Sequence, residues 1–319
     1  MYKPQNISAS DFVSLRNHNY HVRVWGDLHQ TYHSKPLVML HGWMDVSASF
    51  QFLVDALEGK RLIIAPDWRG FGLTTASLES APKDSPREQQ REGSVNDHYV
   101  FADYLGDLDF LLDHYFPRQS VDLLGHSMGG NIAMLYAGIR PQRIHKLINL
   151  EGFGMPSTRP SQAPSRYEKW LDELKQFHKG EITLQTYESS DAVAKRLIKT
   201  NPRIPNDKAQ WLATQWARPD TAGKWNILAN PSHKISSANL YRVDETLEVH
   251  KRITAPLLCI TGQDDSLKKW FGVHYTMEEF HERLLVVLNT THQQLANSGH
   301  MLHHDQPQAL AELIEPFLN

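Results

Sequence analysis

A single cysteine, Cys259, in 319 residues leaves no partner for an internal disulfide. It sits in the apolar run Pro256-Leu257-Leu258-Cys259-Ile260 and reads as a small buried core residue. No run of about 18 apolar residues occurs, and Met1 to Asp11 lacks the apolar segment of a secretory signal. These absences predict a soluble, cytoplasmic chain with no stable membrane insertion. Neither charge sign dominates: 33 Lys and Arg face 36 Asp and Glu, a formal net charge of −3. That balance offers no basic footprint for nucleic acid, so none is expected as a partner. Internal repeats and low-complexity tracts are lacking as well. The 18 histidines are the compositional excess; most stand among polar residues, which predicts surface positions.

With 40% hydrophobic and 22% charged residues, the chain is long enough for one large α/β domain carrying an inserted subdomain. Residues 12–25 read as two antiparallel strands, with alternation clearest in Tyr20, Val22 and Val24. Residues 37–40 and 62–65 are short apolar runs bounded by turn signals, the pattern of buried parallel strands. A helix is predicted near Ala48 to Ala56. Residues 76–98, polar and containing proline and mixed charge, predict a mobile loop. A long helix is predicted from about Tyr99 to Tyr115, with Phe101, Leu105, Leu108, Leu111 and Leu112 on one face, ended by Pro117. The apolar runs at 121–124, 256–260 and 284–288 predict further strands.

After Glu151-Gly152 the pattern changes. From about Phe153 to Tyr241 it is helical and interrupted by proline, with stripes at Trp170/Leu171/Leu174/Phe177, Val193/Leu197/Ile198 and Trp211/Leu212/Trp216. The expected division is residues 1–152 and 242–319 as the two parts of the core, with 153–241 as a helical insertion. The aromatics of the insertion read mostly as its own core, with one or two available to face a cleft.

Gly125-His126-Ser127-Met128-Gly129 carries the chemical signal. Chance alone would place a G-x-S-x-G in about one chain in ten of this length, so its flanks must decide. Val121, Leu123 and Leu124 precede it as a strand, and Ile132, Ala133, Leu135 and Tyr136 follow as a helix. A serine on such a sharp strand-to-helix turn has its hydroxyl pushed out of the backbone. A nucleophilic serine needs a base and an acid that orients the base. Asp264 and Asp265 follow the 256–260 run, and His300 follows the 284–288 run, in the order serine, acid, histidine. Asp265, fourth in Gly262-Gln263-Asp264-Asp265, is the expected acid. Asp264 and Glu151, which follows the next strand after the serine, are the alternatives.

On these residues the chain resembles the α/β-hydrolase superfamily over nearly its whole length. His41-Gly42-Trp43 resembles the oxyanion loop, Asp67-Trp68-Arg69-Gly70-Phe71-Gly72 the D-x-R-G-x-G turn, Gly125 to Gly130 the nucleophile elbow, Gly262 to Asp265 the acid turn, and Gly299-His300 the histidine loop. The resemblance implies a mostly parallel sheet flanked by helices, with a helical cap at 153–241, as in cap-bearing serine hydrolase-like members. It also implies Ser127 as nucleophile, His300 as general base, and the backbone N–H groups of Trp43 and Met128 as oxyanion donors. His41 is expected to brace the oxyanion loop, and Asp67 and Arg69 to fix a turn by an ion pair or backbone hydrogen bonds.

The implied activity is cleavage of a small carboxylic ester, thioester or lactone. The expected partner is thus a small-molecule acyl substrate. A C–C bond hydrolase of the meta-cleavage type and a non-enzymatic small-molecule receptor on the same fold are the alternatives. Haloalkane dehalogenases and epoxide hydrolases carry an aspartate at the elbow, where this chain has Ser127. His303-His304-Asp305 lacks a defined ligand spacing, and no metal or organic cofactor is expected.

Overall fold

The computed structural model describes residues 2–76 and 96–319, so the expected loop at 76–98 lies largely outside the described residues. The chain opens with a hairpin of β1 (Ala9–Leu15) and β2 (His18–Trp25). Its two-residue turn, Arg16-Asn17, has positive φ at both positions (43° and 62°), the geometry that matches strand twist. Next come β3 (Leu37–Leu40), α1 (Gln51–Ala56), β4 (Ile63–Pro66), the short β5 (Thr75–Ala76) and α2 (Phe101–Tyr115). The central crossover is β6 (Val121–His126), α3 (Met128–Ile139) and β7 (Ile144–Leu150). The inserted stretch holds α4 (Ala163–His178), β8 (Thr186–Tyr187), α5 (Ser190–Thr200), α6 (Asn206–Trp216), β9 (Ala217–Pro219) and β10 (Trp225–Ile227). The chain ends with α7 (Val243–His250), β11 (Leu257–Gly262), α8 (Ser266–Phe271), α9 (Met277–Leu284), β12 (Thr290–Leu295), α10 (Leu302–Asp305) and α11 (Pro307–Leu318).

The main sheet runs β1-β2-β4-β3-β6-β7-β11-β12, with β5 paired to β2. It is antiparallel at the hairpin and parallel from β4 to β12. Successive residues of a strand point to opposite faces. Val38, Leu123, Leu147, Leu257 and Cys259 therefore enter one core, beneath Leu108, Leu111 and Leu112 of α2 and Ile132 and Tyr136 of α3. Leu37, Met39, Leu124, Ile148, Leu258 and Ile260 enter the other, against Leu53 of α1 and Leu310 and Ile314 of α11. Both faces are covered, which is why these strands read as continuous apolar runs. Among the described residues no helix is long and apolar enough to cross a membrane.

Three expectations change. The Leu284–Leu288 run is not a strand: Leu284 ends α9, and Leu285 and Leu288 are exposed. The strand is β12, Thr-Thr-His-Gln-Gln-Leu, whose position at the sheet edge leaves most of its side chains in solvent. On α2, Phe101 is exposed and Tyr104 fills the buried position. The inserted stretch is not purely helical, since β8, β10 and β9 form a three-stranded antiparallel sheet. Its α5 and α6 bury Val193, Leu197 and Leu212 against Val46, Ala48 and Phe52. α4 buries none of its residues fully, and Leu171 of its stripe is exposed.

The hairpin, the turn after β4 and α2 are joined by one buried carboxylate. Asp107 of α2 accepts from Arg69 Nε and Nη2 at 2.5 and 2.6 Å, from Arg16 Nη1 at 3.0 Å, and from the Tyr20 hydroxyl. Arg69 thus spends its charge on α2. Asp67 fixes the turn separately, accepting from the backbone N–H of Ser47 and Leu73 at 2.7 and 2.9 Å and from His21 Nδ1 at 2.7 Å. Removing one partner of a buried pair leaves the other charge uncompensated, at a cost of about 3–5 kcal/mol. Asp107→Ala should lower stability by that amount in a denaturant melt. A loss below about 1 kcal/mol would show that the two arginines find other partners.

Candidate active site

Ser127 lies between β6 and α3 with φ 54° and ψ −117°, a conformation L-residues rarely adopt. The neighbouring glycines are required by contact. A Cβ on Gly125 would sit 2.2 Å from the Gly129 carbonyl oxygen, and one on Gly129 would sit 2.1 Å from the Leu40 carbonyl oxygen. The Ser127 N–H donates to the Leu150 carbonyl at 2.8 Å, and its carbonyl accepts from Asn131 N–H at 3.0 Å. The strain is therefore held from both sides.

The loop after β3 lies against the serine. A Cβ on Gly42 would come within 3.2 Å of the Ser127 Cβ. His41 fixes this loop as expected: its Nδ1–H donates to the Gly42 carbonyl at 2.8 Å, and its Nε2 accepts the Trp68 N–H at 2.9 Å. Burial pushes His41 down to about 4, which keeps it in that neutral tautomer. Trp43 stands in this loop with its indole exposed. Met128 is the first residue of α3, where a backbone N–H has no acceptor inside the helix.

His300 follows β12 in the turn before α10. The backbone of this turn is tied down by the Asp264 N–H, which donates to Ser298 at 3.0 Å, and by the Gly299 N–H, which donates to Asp305 at 2.9 Å. His126, next to the serine, donates from Nε2 to the His300 carbonyl at 2.8 Å. The Trp270 indole meets the His300 ring edge-on, with centroids 4.4 Å apart.

The carboxylate that meets His300 is Glu151; the expected Asp265 stands elsewhere. His300 Nδ1 donates to Glu151 Oε2 at 3.2 Å, while Glu151 Oε1 accepts the Gly262 N–H at 2.7 Å. Glu151 has φ 55° at the end of β7, which turns its carboxylate beneath the imidazole. Asp265 is exposed and serves as the N-cap of α8, accepting the Lys268 N–H at 2.8 Å. Asp264 is also exposed and pairs with Arg203 Nη1 at 2.7 Å. Both carboxylates are satisfied where they stand, and neither reaches His300.

Burial governs the protonation of the pair. Desolvation pushes Glu151 up to about 7; donors from Ser266 and Gly262 oppose this, and the charges of Asp265 and Asp264 add to it. Burial, helped by Lys269, pushes His300 down to about 3. Both shifts favour uncharged groups, so His300 rests as a neutral base. Sequence reasoning missed Trp270 and Ser266. Trp270 lay hidden in the apolar pattern of α8, and nothing local marked Ser266.

The comparisons with known proteins bear on the fold. A family profile described as alpha/beta hydrolase fold matches residues 35–307. A serine hydrolase-like protein of Danio rerio is 22% identical over 93% of this chain and 84% of its own. A cis-3-alkyl-4-alkyloxetan-2-one decarboxylase of Shewanella oneidensis is 33% identical over a shorter stretch, 40% of this chain and 36% of its own. Among solved structures, the thioesterase domain from the curacin biosynthetic pathway superposes with a TM-score of 0.77 at 22% identity, covering 97% of this chain and 99% of that one. With the profile spanning well over half of the sequence, from the strand before the His41 loop to the helix after His300, this chain belongs to the α/β-hydrolase fold family.

Proposed function

We propose that this chain is a serine hydrolase cleaving a small carboxylic ester, or a related thioester or lactone, through an acyl-enzyme on Ser127. The observation that carries the reading is the hydrogen bond from His300 to buried Glu151, with His126, the residue before the strained Ser127, donating to the His300 carbonyl. Ser127 attacks the carbonyl carbon as His300 takes its proton. Glu151 holds the proton of His300 on Nδ1, which leaves the Nε2 lone pair free, and it stabilises the imidazolium once formed. The N–H groups of Met128 and Trp43 receive the developing oxyanion. His300 then returns the proton to the leaving alcohol, and later activates the water that releases the acid. The 153–241 segment acts as a cap on the core formed by 1–152 and 242–319, and limits the acyl substrates admitted. A cytoplasmic setting suits a chain whose only thiol is the buried Cys259.

Ser127→Ala should abolish labelling by a fluorophosphonate and lower p-nitrophenyl ester turnover by at least about 10³-fold. Labelling that persists on another residue would replace this mechanism.

Glu151→Gln should cost up to about 10⁴-fold in turnover, while Asp265→Asn leaves turnover within a few-fold and keeps the cap of α8, since an asparagine oxygen accepts the Lys268 N–H as well. The reverse ranking would return the acid role to Asp265. Because Glu151 must be charged to stabilise the imidazolium, the acid limb of kcat/KM should fall near pH 7. The stability sign is opposite to that of an ordinary ion-paired carboxylate. The folded protein keeps the Glu151 proton up to about 7, above the usual carboxylate range. The folded state therefore loses stability as pH rises through that window. Melting at pH 5 and pH 8 should show a smaller drop for Glu151→Gln than for the unmodified protein.

Two tryptophans separate packing from selectivity. Trp211 packs on Tyr2 and Phe52, at ring distances of 5.4 and 5.7 Å. Trp211→Ala should lower stability by about 2–3 kcal/mol, less than for a fully buried tryptophan, and keep the chain-length preference. Trp270→Ala, beside His300, should shift that preference across a series of p-nitrophenyl esters with little change in melting temperature. An unchanged preference would remove Trp270 from the acyl site.

A further inference from the structure

Six histidines are buried: His18, His21, His41, His126, His303 and His304. Most have an evident partner, the Arg16 carbonyl for His18, Asp67 for His21, Gly42 and Trp68 for His41, and the Ser49 hydroxyl for His304. His126 is half-satisfied and His303 is not satisfied at all. Among the described residues, His126 Nδ1, both ring nitrogens of His303 and Asp45 Oδ2 are buried without a hydrogen-bond partner. A buried polar group left without a partner is costly to the fold. Here such groups converge, since one ligand atom from each of Asp45, His126 and His303 lies within 4.8 Å of the others.

We propose that Asp45, His126 and His303 form a buried site for a divalent transition metal of the zinc class, linking the segment after β3, the end of β6 and α10. Two imidazoles and one carboxylate suit this class, with water in a fourth position. The surroundings already orient the donors. His126 Nε2–H donates to the His300 carbonyl at 2.8 Å, which leaves the buried Nδ1 lone pair without a partner. A backbone carbonyl on the far nitrogen is the usual outer partner of a metal-bound histidine. Asp45 is held through its other oxygen: Oδ1 accepts the Ser49 hydroxyl at 2.7 Å, and Ser49 in turn accepts His304 Nε2–H at 2.8 Å. Gly42 leaves space beside the donors, because a Cβ there would sit 3.1 Å from His126 Nδ1. Bonds of about 2.0–2.2 Å place tetrahedral ligands roughly 3.4 Å apart. The donors, within 4.8 Å of one another, must therefore close by up to about 1.4 Å. The set draws on three segments: Asp45 in the stretch after β3, His126 as the last residue of β6, and His303 in α10. The site stands apart from the ester reaction and does not rest on the roles assigned to Ser127, Glu151 and His300.

The test is a Zn²⁺ titration of the full chain after chelator treatment, read by retained zinc per chain and by melting temperature. One retained equivalent and a melting temperature that rises with free Zn²⁺ are expected. Asp45→Asn and His303→Leu should each weaken binding by at least about 10–100-fold, the cost of losing even an outer partner. His292→Ala controls for the separate His281–His292 ring pair, whose centroids are 4.5 Å apart; it should bind like the unmodified protein. No retained zinc, or equal retention in Asp45→Asn and His303→Leu, overturns the site and leaves a bridging water as its occupant. Should those variants fail to fold, Ser49→Ala frees Asp45 without removing a ligand and should weaken binding about 10-fold; unchanged affinity there counts against the site. Co²⁺ in the unmodified protein should give the intense visible bands of four-coordinate cobalt, and the weak spectrum of six-coordinate cobalt overturns it.

Discussion

Everything at the candidate site depends on the close packing of backbone around Ser127. A non-glycine residue at positive φ costs of order 1–3 kcal/mol and persists only where its surroundings over-determine it. Here Gly125 meets the Gly129 carbonyl, Gly129 meets the Leu40 carbonyl, and no Cβ fits at either contact. The hold then passes sideways along the C-terminal edge of the sheet. Ser127 N–H donates to Leu150, Glu151 N–H to Ile260, and Asp264 N–H to Ser298. Each loop that bears a candidate group is thus anchored by a main-chain hydrogen bond to its neighbour. Serine, glutamate and histidine are positioned by one continuous ladder rather than by three independent turns.

That rigidity sets the electrostatics. Glu151 is enclosed by β7, β11 and the start of α8, and its donors are the Gly262 N–H, the Ser266 hydroxyl and the His300 ring. Burial drives both members of the pair toward their neutral forms, with the Glu151 side chain fully enclosed and the His300 ring part-exposed. In the proposed reaction the ionised form of Glu151 is the active one, and positive charge appears beside it only as the serine proton reaches His300. The dipoles that receive it are already in place, and little reorganisation is needed when the charge develops.

Much of this was legible in the sequence, for reasons that are local. Residues 37–40, 121–124 and 256–260 are buried on both faces, and double burial forces a continuous apolar run. The elbow was legible because strain at Ser127 admits only glycine at two neighbouring positions. What escaped was set by position in the assembled fold. β12 sits at the sheet edge, so its polar Thr-Thr-His-Gln-Gln carries no strand signal, and the apolar Leu284–Leu288 run before it belongs to the end of α9 and an exposed turn. β8, β9 and β10 are two or three residues long, too short to show a period.

The acid shows where a motif misleads. Asp265 occupies the motif position, yet Asp-Ser-Leu-Lys is also a helix start, and the N-terminus of α8 supplies a donor to its carboxylate. Asp264 likewise finds Arg203 at the surface. A carboxylate so provided for gains little by turning inward, where it would lose both donor and solvent. Glu151 has the opposite situation. It follows Ile148-Asn149-Leu150, heads no helix, and is almost fully buried, so every donor it has must come from elsewhere in the fold. A buried carboxylate with no local donor is stable only if tertiary structure brings donors to it. The histidine that needs an acid is one such donor. When two acids compete for one role in a sequence, the one without a local use is the better candidate.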